Sequence, residues 1–185
     1  MIYFLPTDTC FWIACELMNS DDYNKIYDIK KREFKKPLAI MVENFEWLKK
    51  YTTLNEKQVN FLKTYKNPFT ILTNCDYIAY ILNYEDDKIS FINKNIYKKI
   101  AFRVAHNDIQ KKLTKKLWPI FLTSANIADK SEIYSREILQ KEFQYYIDKW
   151  IVKILWPWDS QKKSISSDIF EFKWESLNIE YLRKI

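Results

Sequence analysis

The sequence predicts an α/β fold, a mixed sheet flanked by helices. Short apolar runs rich in β-branched and aromatic residues alternate irregularly with segments of helical periodicity. Apolar residues make up 48% of the 185, enough for one core. There is no internal repeat, low-complexity tract or interdomain linker, so residues 1–185 are expected to form a single domain.

Ile2-Tyr3-Phe4-Leu5 reads as a short buried strand ended by Pro6. Ser20 followed by Asp21 and Asp22 is a helix start, because short acceptors cap free N–H groups and acids suit the positive helix end. Tyr23, Ile26 and Ile29 then recur at helical spacing up to Lys31. Pro37 closes that region, and residues 38–42 are a strand. Residues 44–51 and 55–65 read as helices, and residues 69–73 as a strand after Pro68. Strands are predicted at 77–82 and 88–92, flanking the acidic turn Glu85-Asp86-Asp87. Another strand at 100–104 and a helix at 108–117 follow. The strand at 120–123 points at Ser124-Ala125-Asn126. A helix at 135–143 and strands at 151–155, 165–170 and 179–182 complete the order.

The chain contains no glycine and seven tryptophans. Average usage would give about 13 glycines, and tight turns need the positive φ that glycine supplies. Trp156-Pro157-Trp158-Asp159-Ser160 and Trp118-Pro119 sit in turn surroundings, where glycine would be ordinary. Some or all tryptophans are therefore expected to be glycine codons read as tryptophan, as UGA would be where it is reassigned to glycine. The alternative is a glycine-poor, aromatic-rich chain from an AT-biased genome. The recoding reading expects at least one tryptophan with φ > 0 or an unpacked indole. It puts Trp156 and Trp158 on an exposed loop, and Trp12 and Trp118 against a pocket or turn.

No segment approaches the roughly 18 apolar residues of a membrane span, and the first residues lack the basic start of a signal peptide. Cys10, Cys15 and Cys75 are odd in number and unpatterned, which fits a reducing cytosol better than disulfides or a zinc site. His106 is the only histidine, so neither a His-based metal cluster nor a Ser-His-Asp set is expected. The net charge of +6 is compatible with nucleotide or RNA partners, but the lysine richness of an AT-biased proteome accounts for it more readily.

Four polar clusters stand at strand ends or loops, where ligand sites of open α/β sheets gather. Pro6-Thr7-Asp8-Thr9 offers two hydroxyls and a carboxylate, or simply a turn. Lys30-Lys31-Arg32 and Lys35-Lys36-Pro37-Leu38 could clamp phosphate or carboxylate, or be a solvated helix end. Thr123-Ser124-Ala125-Asn126 could bind oxyanions or cap a helix. Ser164-Ile165-Ser166-Ser167 brings hydroxyls into a strand.

In order and spacing these clusters resemble the YrdC-like threonylcarbamoyl-AMP synthase (TsaC) family over essentially the whole chain. The family reads approximately P-T-[DE]-T-V-Y-G-L-x-C, K-x-R-x-x-x-K-P-L, P-G-P-x-T, R-x-P-x-H, T-S-A-N, a Ser-Thr pair and L-R. This chain has Pro6-Thr7-Asp8-Thr9 through Cys15, Lys30 through Leu38, Asn67-Pro68-Phe69-Thr70 and Arg103-Val104-Ala105-His106. Thr123 through Asn126, Ser166-Ser167 and Leu182-Arg183 follow. Three departures stand out. The family's N-terminal helix is missing, Trp12 occupies a family glycine, and Ala105 replaces a proline.

The resemblance implies a YrdC-like open twisted mixed sheet with a basic concave pocket. It implies that L-threonine, bicarbonate and ATP become threonylcarbamoyl-adenylate and pyrophosphate. Another enzyme, in a threonylcarbamoyl-transferase complex, would then modify the tRNA adenosine beside the anticodon. Lys30, Arg32, Ser124 and Asn126 would form the catalytic set. Thr7, Thr9, Lys30, Arg32 and Ser166 would hold threonine and bicarbonate. Arg103, Thr123, Ser124, Asn126 and Arg183 would bind the nucleotide. No residue is expected to ligate a metal, since Mg²⁺ would arrive with ATP, held mainly by phosphate oxygens and water. The expected location is the cytoplasm, with possible RNA contact and no membrane. Two other readings stay open: a carbamoyl-adenylate-forming domain using carbamoyl phosphate, and a non-catalytic RNA-binding module.

Overall fold

The computed structural model describes residues 1–75, 97, 99–117, 119–155 and 164–185. The strands expected at 77–82 and 88–92, together with Trp118, Trp156 and Trp158, lie outside the described residues. Among the described residues nine strands form one open, twisted sheet: β1 (Ile2–Pro6), β2 (Phe11–Glu16), β3 (Ala39–Val42), β4 (Phe69–Thr73), β5 (Ile100–Val104), β6 (Ile120–Ser124), β7 (Val152–Ile154), β8 (Asp168–Phe172) and β9 (Ile179–Arg183). Five helices among the described residues flank it: α1 (Ser20–Lys30), α2 (Phe45–Tyr51), α3 (Glu56–Thr64), α4 (Asp108–Leu117) and α5 (Arg136–Asp148).

The strand order is β7-β1-β2-β6-β3-β5-β4-β8-β9. The β1/β7, β3/β5 and β4/β8 pairs are parallel and the other neighbours antiparallel, so the sheet is mixed, as expected. Period-two alternation divides the strands between two apolar layers. Ile2, Phe4, Phe11, Ile13, Ile40, Val42 and Phe121 join the α1, α2, α3 and α5 side, with Tyr23, Ile26, Leu48, Val59, Leu62 and Phe143. Leu5, Trp12, Ala14, Met41, Ile120 and Leu122 face α4 through Leu113. Strands covered on both faces read as continuous apolar runs. This explains why β2 was not predicted: Phe11 through Cys15 are all buried, so no polar alternation marks the strand.

Helix starts rely on asparagine. Asn19, Asn44, Asn55 and Asn107 each accept the backbone N–H three residues on, and Ser135 does the same for α5. Asn19 rather than Ser20 is thus the cap of α1. The capping box of Asn55 and Gln58 is complete. It also reaches across the fold. Asn55 Nδ2 donates to Glu175 O at 2.8 Å, and Gln58 Nε2 to Trp174 O and Ser176 O at 2.9 and 3.0 Å, so the start of α3 grips the β8–β9 hairpin.

α5 runs past its predicted end at Phe143, where φ is −119° and ψ is 19°, and continues to Asp148. Phe143 is fully buried against the Phe4 ring at 4.9 Å, and the kink keeps that contact. Four described residues have positive φ: Lys31, Asp129, Trp150 and Trp174. The expectation of a positive-φ tryptophan is therefore met twice.

Asn55→Ala removes both the cap of α3 and its bond to the hairpin. It is expected to lower stability by about 1–2 kcal/mol, read as a lower urea midpoint with an unchanged m-value.

Candidate functional site

The predicted site residues fall into two hydrogen-bonded groups joined by Trp12. The first group starts at the end of α1. Lys30 is the last residue of the helix and only 2% exposed. Its Nζ donates to the carbonyl oxygens of Ser124 and Asn126, and its own carbonyl accepts Ala128 N–H at 2.8 Å. One residue thus ties α1 to the loop after β6 at three points. Burial, aided by the positive charge of Arg32, pushes the Lys30 amine down to about 7. A neutral amine still has N–H bonds for both carbonyls, so the tie survives deprotonation. Asn126 Nδ2 donates to Ile127 O and Lys130 O at 3.2 and 2.6 Å. Its Oδ1 is buried without a hydrogen-bond partner among the described residues.

Arg32 lies just beyond, half-buried, its Nε and Nη2 donating to Lys36 O and Pro37 O, both at 3.2 Å. Beneath that turn sits a trio of tyrosine hydroxyls that the sequence did not signal. Tyr23 Oη lies 3.0 Å from Tyr27 Oη and 2.9 Å from Tyr97 Oη. Tyr27 donates to Lys36 O and Tyr97 accepts Leu38 N–H, each at 3.0 Å. Burial raises the pKa of all three phenols, so they stay protonated as donors.

The second group is centred on Arg103 in β5, 2% exposed and paired with the Asp8 carboxylate. Burial lowers its pKa and Asp8 opposes the fall. Its Nη1 donates to Thr70 Oγ1 at 3.3 Å, and Thr70 Oγ1 lies 3.1 Å from Ser167 Oγ. Arg183 closes the row from β9, with Nε and Nη2 donating to Ser167 O at 2.9 and 2.7 Å. The Arg103 Nε is buried without a hydrogen-bond partner among the described residues. Ser167, rather than Ser166, therefore joins the arginines. Ser166 Oγ donates instead to Glu132 at 3.1 Å, and Glu132 also accepts Tyr134 Oη at 2.6 Å.

Trp12 links the two groups. It pairs with Ser124 in the β2/β6 register, and its ring lies 4.8 Å from Arg103 Cζ, a cation–π contact. Its Nε1 donates to Thr9 Oγ1 at 3.0 Å, and Thr9 Oγ1 lies 2.9 Å from Thr7 Oγ1. The indole thus covers two of the predicted ligand groups, Thr9 and Arg103. Thr123, buried one residue before Ser124, pairs with Ile13. Beside Arg103 opens a cavity of about 390 Å³, lined among others by Asp8, Phe45, Tyr65, Lys66, Arg103 and His106. Lys30, Arg32, Ser124 and Asn126 are not among its lining residues. Among the described residues no group of three His, Cys, Asp or Glu side chains could cage a metal ion, and the Asp8 carboxylate is held by Arg103. Nor is any described helix long and apolar enough to cross a membrane.

Residues 1–183 match the sequence profile of the Sua5/YciO/YrdC family, described as telomere recombination. The chain belongs to that family. A Methanocaldococcus jannaschii protein assigned as a threonylcarbamoyl-AMP synthase is 29% identical over 148 residues, covering 80% of this chain and 65% of that protein. Sua5 of P. abyssi superimposes with a TM-score of 0.74 at 18% identity, over 98% of this chain and 52% of Sua5. Its complex with L-threonine gives 0.71 at 19% identity, over 98% of this chain and 49% of Sua5. HypF in a phosphate- and nucleotide-bound form gives 0.72 at 16% identity, over 98% of this chain and 26% of HypF. The match therefore spans about half of Sua5 and a quarter of HypF, which share its fold.

The buried amine of this Sua5/YciO/YrdC chain carries a pH signature. Below about 7 Lys30 is charged in both folded and unfolded states, and the folded state bears the whole burial penalty. Above 7 the unfolded chain binds the extra proton, so stability rises with pH by up to about 1.4 kcal/mol per unit. Burial also lifts the Cys10 thiol to about 12 and raises the Cys15 thiol as well, and once unfolded thiols ionise near pH 8.5 these two opposing slopes outweigh that of Lys30 and reverse the trend. Urea midpoints are expected to rise between pH 7 and 8, and Lys30→Met to flatten that rise.

Proposed function

We propose that this chain forms threonylcarbamoyl-adenylate and pyrophosphate from L-threonine, bicarbonate and ATP. The product would pass to a separate transferase acting on the tRNA adenosine beside the anticodon. The observation that carries the reading is the linkage of the separated family motifs into one polar region. Pro6–Thr9, Lys30–Arg32, Arg103, Ser124–Asn126, Ser167 and Arg183 are joined there by hydrogen bonds or by contact with Trp12. The family to which the chain belongs includes relatives assigned as threonylcarbamoyl-AMP synthases.

The threonine carboxylate, bicarbonate and the triphosphate of ATP are all anionic groups, and the region offers cations to meet them. Arg32, the half-buried cation at its rim, would hold carboxylate or phosphate oxygens and offset charge developing at the α-phosphate. Arg103 and Arg183 would face the nucleotide in or beside the cavity that holds His106. Thr7 and Thr9 would orient threonine. Lys30 is a positioning residue in this scheme, fixing the carbonyls of Ser124 and Asn126 so that their side chains meet substrate in one geometry. Carbamate forms when the neutral threonine amine attacks the bicarbonate carbon and water leaves, and the carbamate oxygen then attacks the α-phosphate of ATP and displaces pyrophosphate. Neither step requires a covalent enzyme intermediate, so positioning and electrostatics can supply the catalysis. Mg²⁺ enters as part of the MgATP substrate.

The test is pyrophosphate release from ATP with and without threonine and bicarbonate. Threonine-dependent release supports the reading, and release indifferent to threonine overturns it. Arg32→Ala is expected to lower threonine-dependent release about 10²-fold or more, with little change in the urea midpoint because a rim charge contributes little to stability. Trp12→Gly releases Thr9 from the indole and uncovers Arg103, and is expected to raise the same rate. A fall would make the indole a working wall of the pocket.

A further inference from the structure

The four described tryptophans divide into two classes. Trp12 and Trp47 are 9% and 7% exposed and have negative φ. Trp47 packs in the core beside Tyr51 and Phe102, and Trp12 stacks on Arg103. Trp150 and Trp174 are 82% and 94% exposed, with φ of 56° and 59°. None of the four mixes the features.

The hydrogen bonds around Trp150 define what its position requires. Trp150 N–H donates to Ile147 O at 3.0 Å, and Ile151 N–H to Tyr146 O at 2.9 Å. That pair of bonds is the Schellman closure of a helix, and Trp150 holds its left-handed position, the one glycine usually fills. The accompanying apolar contact has its partners too, since Tyr146 and Ile151 both pack on the core. The backbone of α5 therefore ends as a helix ending in glycine does, with an indole projecting into solvent.

Trp174 occupies the equivalent place in a β-turn setting. It lies in the β8–β9 connection, which Lys173 N–H closes onto Asn178 O at 2.8 Å. The Trp174 carbonyl accepts Gln58 Nε2, so the main chain is fixed while the side chain touches little. Lys31 and Asp129 also have positive φ. Asp is among the residues enriched there, and a lysine side chain is at home in water, whereas a bulky aromatic at positive φ is an outlier.

We propose that positions 150 and 174 are glycine positions of this fold, and that the working polypeptide carries glycine at both. The gene would use there a codon that its own ribosomes read as glycine. The absence of any glycine from 185 residues, the left-handed backbone and the unburied indoles are independent observations, and all follow from that one cause. Trp47 is not included, because its ring is part of the core.

Two measurements test this. The first is denaturant unfolding of the purified chain carrying Trp150→Gly, Trp174→Gly, or alanine at either place. Each glycine variant is expected to raise the folding equilibrium constant about fivefold or more over the parent, and to exceed its alanine counterpart, because alanine keeps the Cβ that opposes positive φ. Alanine equal to or better than glycine at both positions overturns the proposal. Trp47→Gly serves as the control and is expected to destabilise. The second is peptide mass spectrometry of the protein from its native cells. Glycine at 150 and 174 bears the proposal out, and tryptophan at either overturns it, leaving the exposed indole to be explained as a contact for a partner.

Discussion

Much of the site depends on one buried amine. Lys30 ends α1 inside the protein, with no carboxylate bonded to it among the described residues, and its hydrogen bonds go to main-chain carbonyls of the loop after β6. A buried ammonium without a counter-ion is costly, and the same group as a neutral amine is not. The loop between Ser124 and Ala128 carries the polar side chains of the T-S-A-N motif, and its shape is set from outside by this contact. Deleting the amine would leave two carbonyls without their donor, at about 1–3 kcal/mol for each that stays dry. The motif lysine and the motif asparagine are therefore one structural unit, although 96 positions separate them in sequence.

The arginine group obeys a different logic. Arg103 is buried as a permanent cation, so its surroundings must supply compensation, and they do so from three directions: the Asp8 carboxylate, the Thr70 hydroxyl and the face of Trp12. Arg183 reaches the same row from the last strand through Ser167. Residues from both ends of the chain thus meet on one hydroxyl network, and the C-terminal strand is bound into the site through it.

The sequence was most legible where one physical pattern acted alone. The helices with polar faces and asparagine starts, and the strands between prolines, are where they were expected. β2 escaped because burial on both faces erases alternation, and α5 was cut short because Phe143 interrupts its geometry without ending it. The motif order brought the right loops into view, but not which member of each loop points where. Ser166 and Ser167 differ by one position, and near a strand one position is the difference between Glu132 and the arginines. The tyrosine trio under Arg32 was not legible, because three phenols that meet through the fold, with Tyr97 contributed from far along the chain, leave no local pattern.

The strand order also fixes when this protein can exist. Ile2 pairs with Val152, and Phe69 with Asp168. On the ribosome the first strand finds its β2 hairpin partner at once, but its other edge waits for nearly the whole chain to emerge. β4 emerges later and is completed later still, by the strand that begins at Asp168. Pairings of such sequence separation are slow to form, and open apolar edges invite association in the interval. A nascent chain of this fold is therefore exposed for most of its synthesis. Truncation by even its last two strands would leave both the β4 edge and the Arg103 network without the residues that complete them.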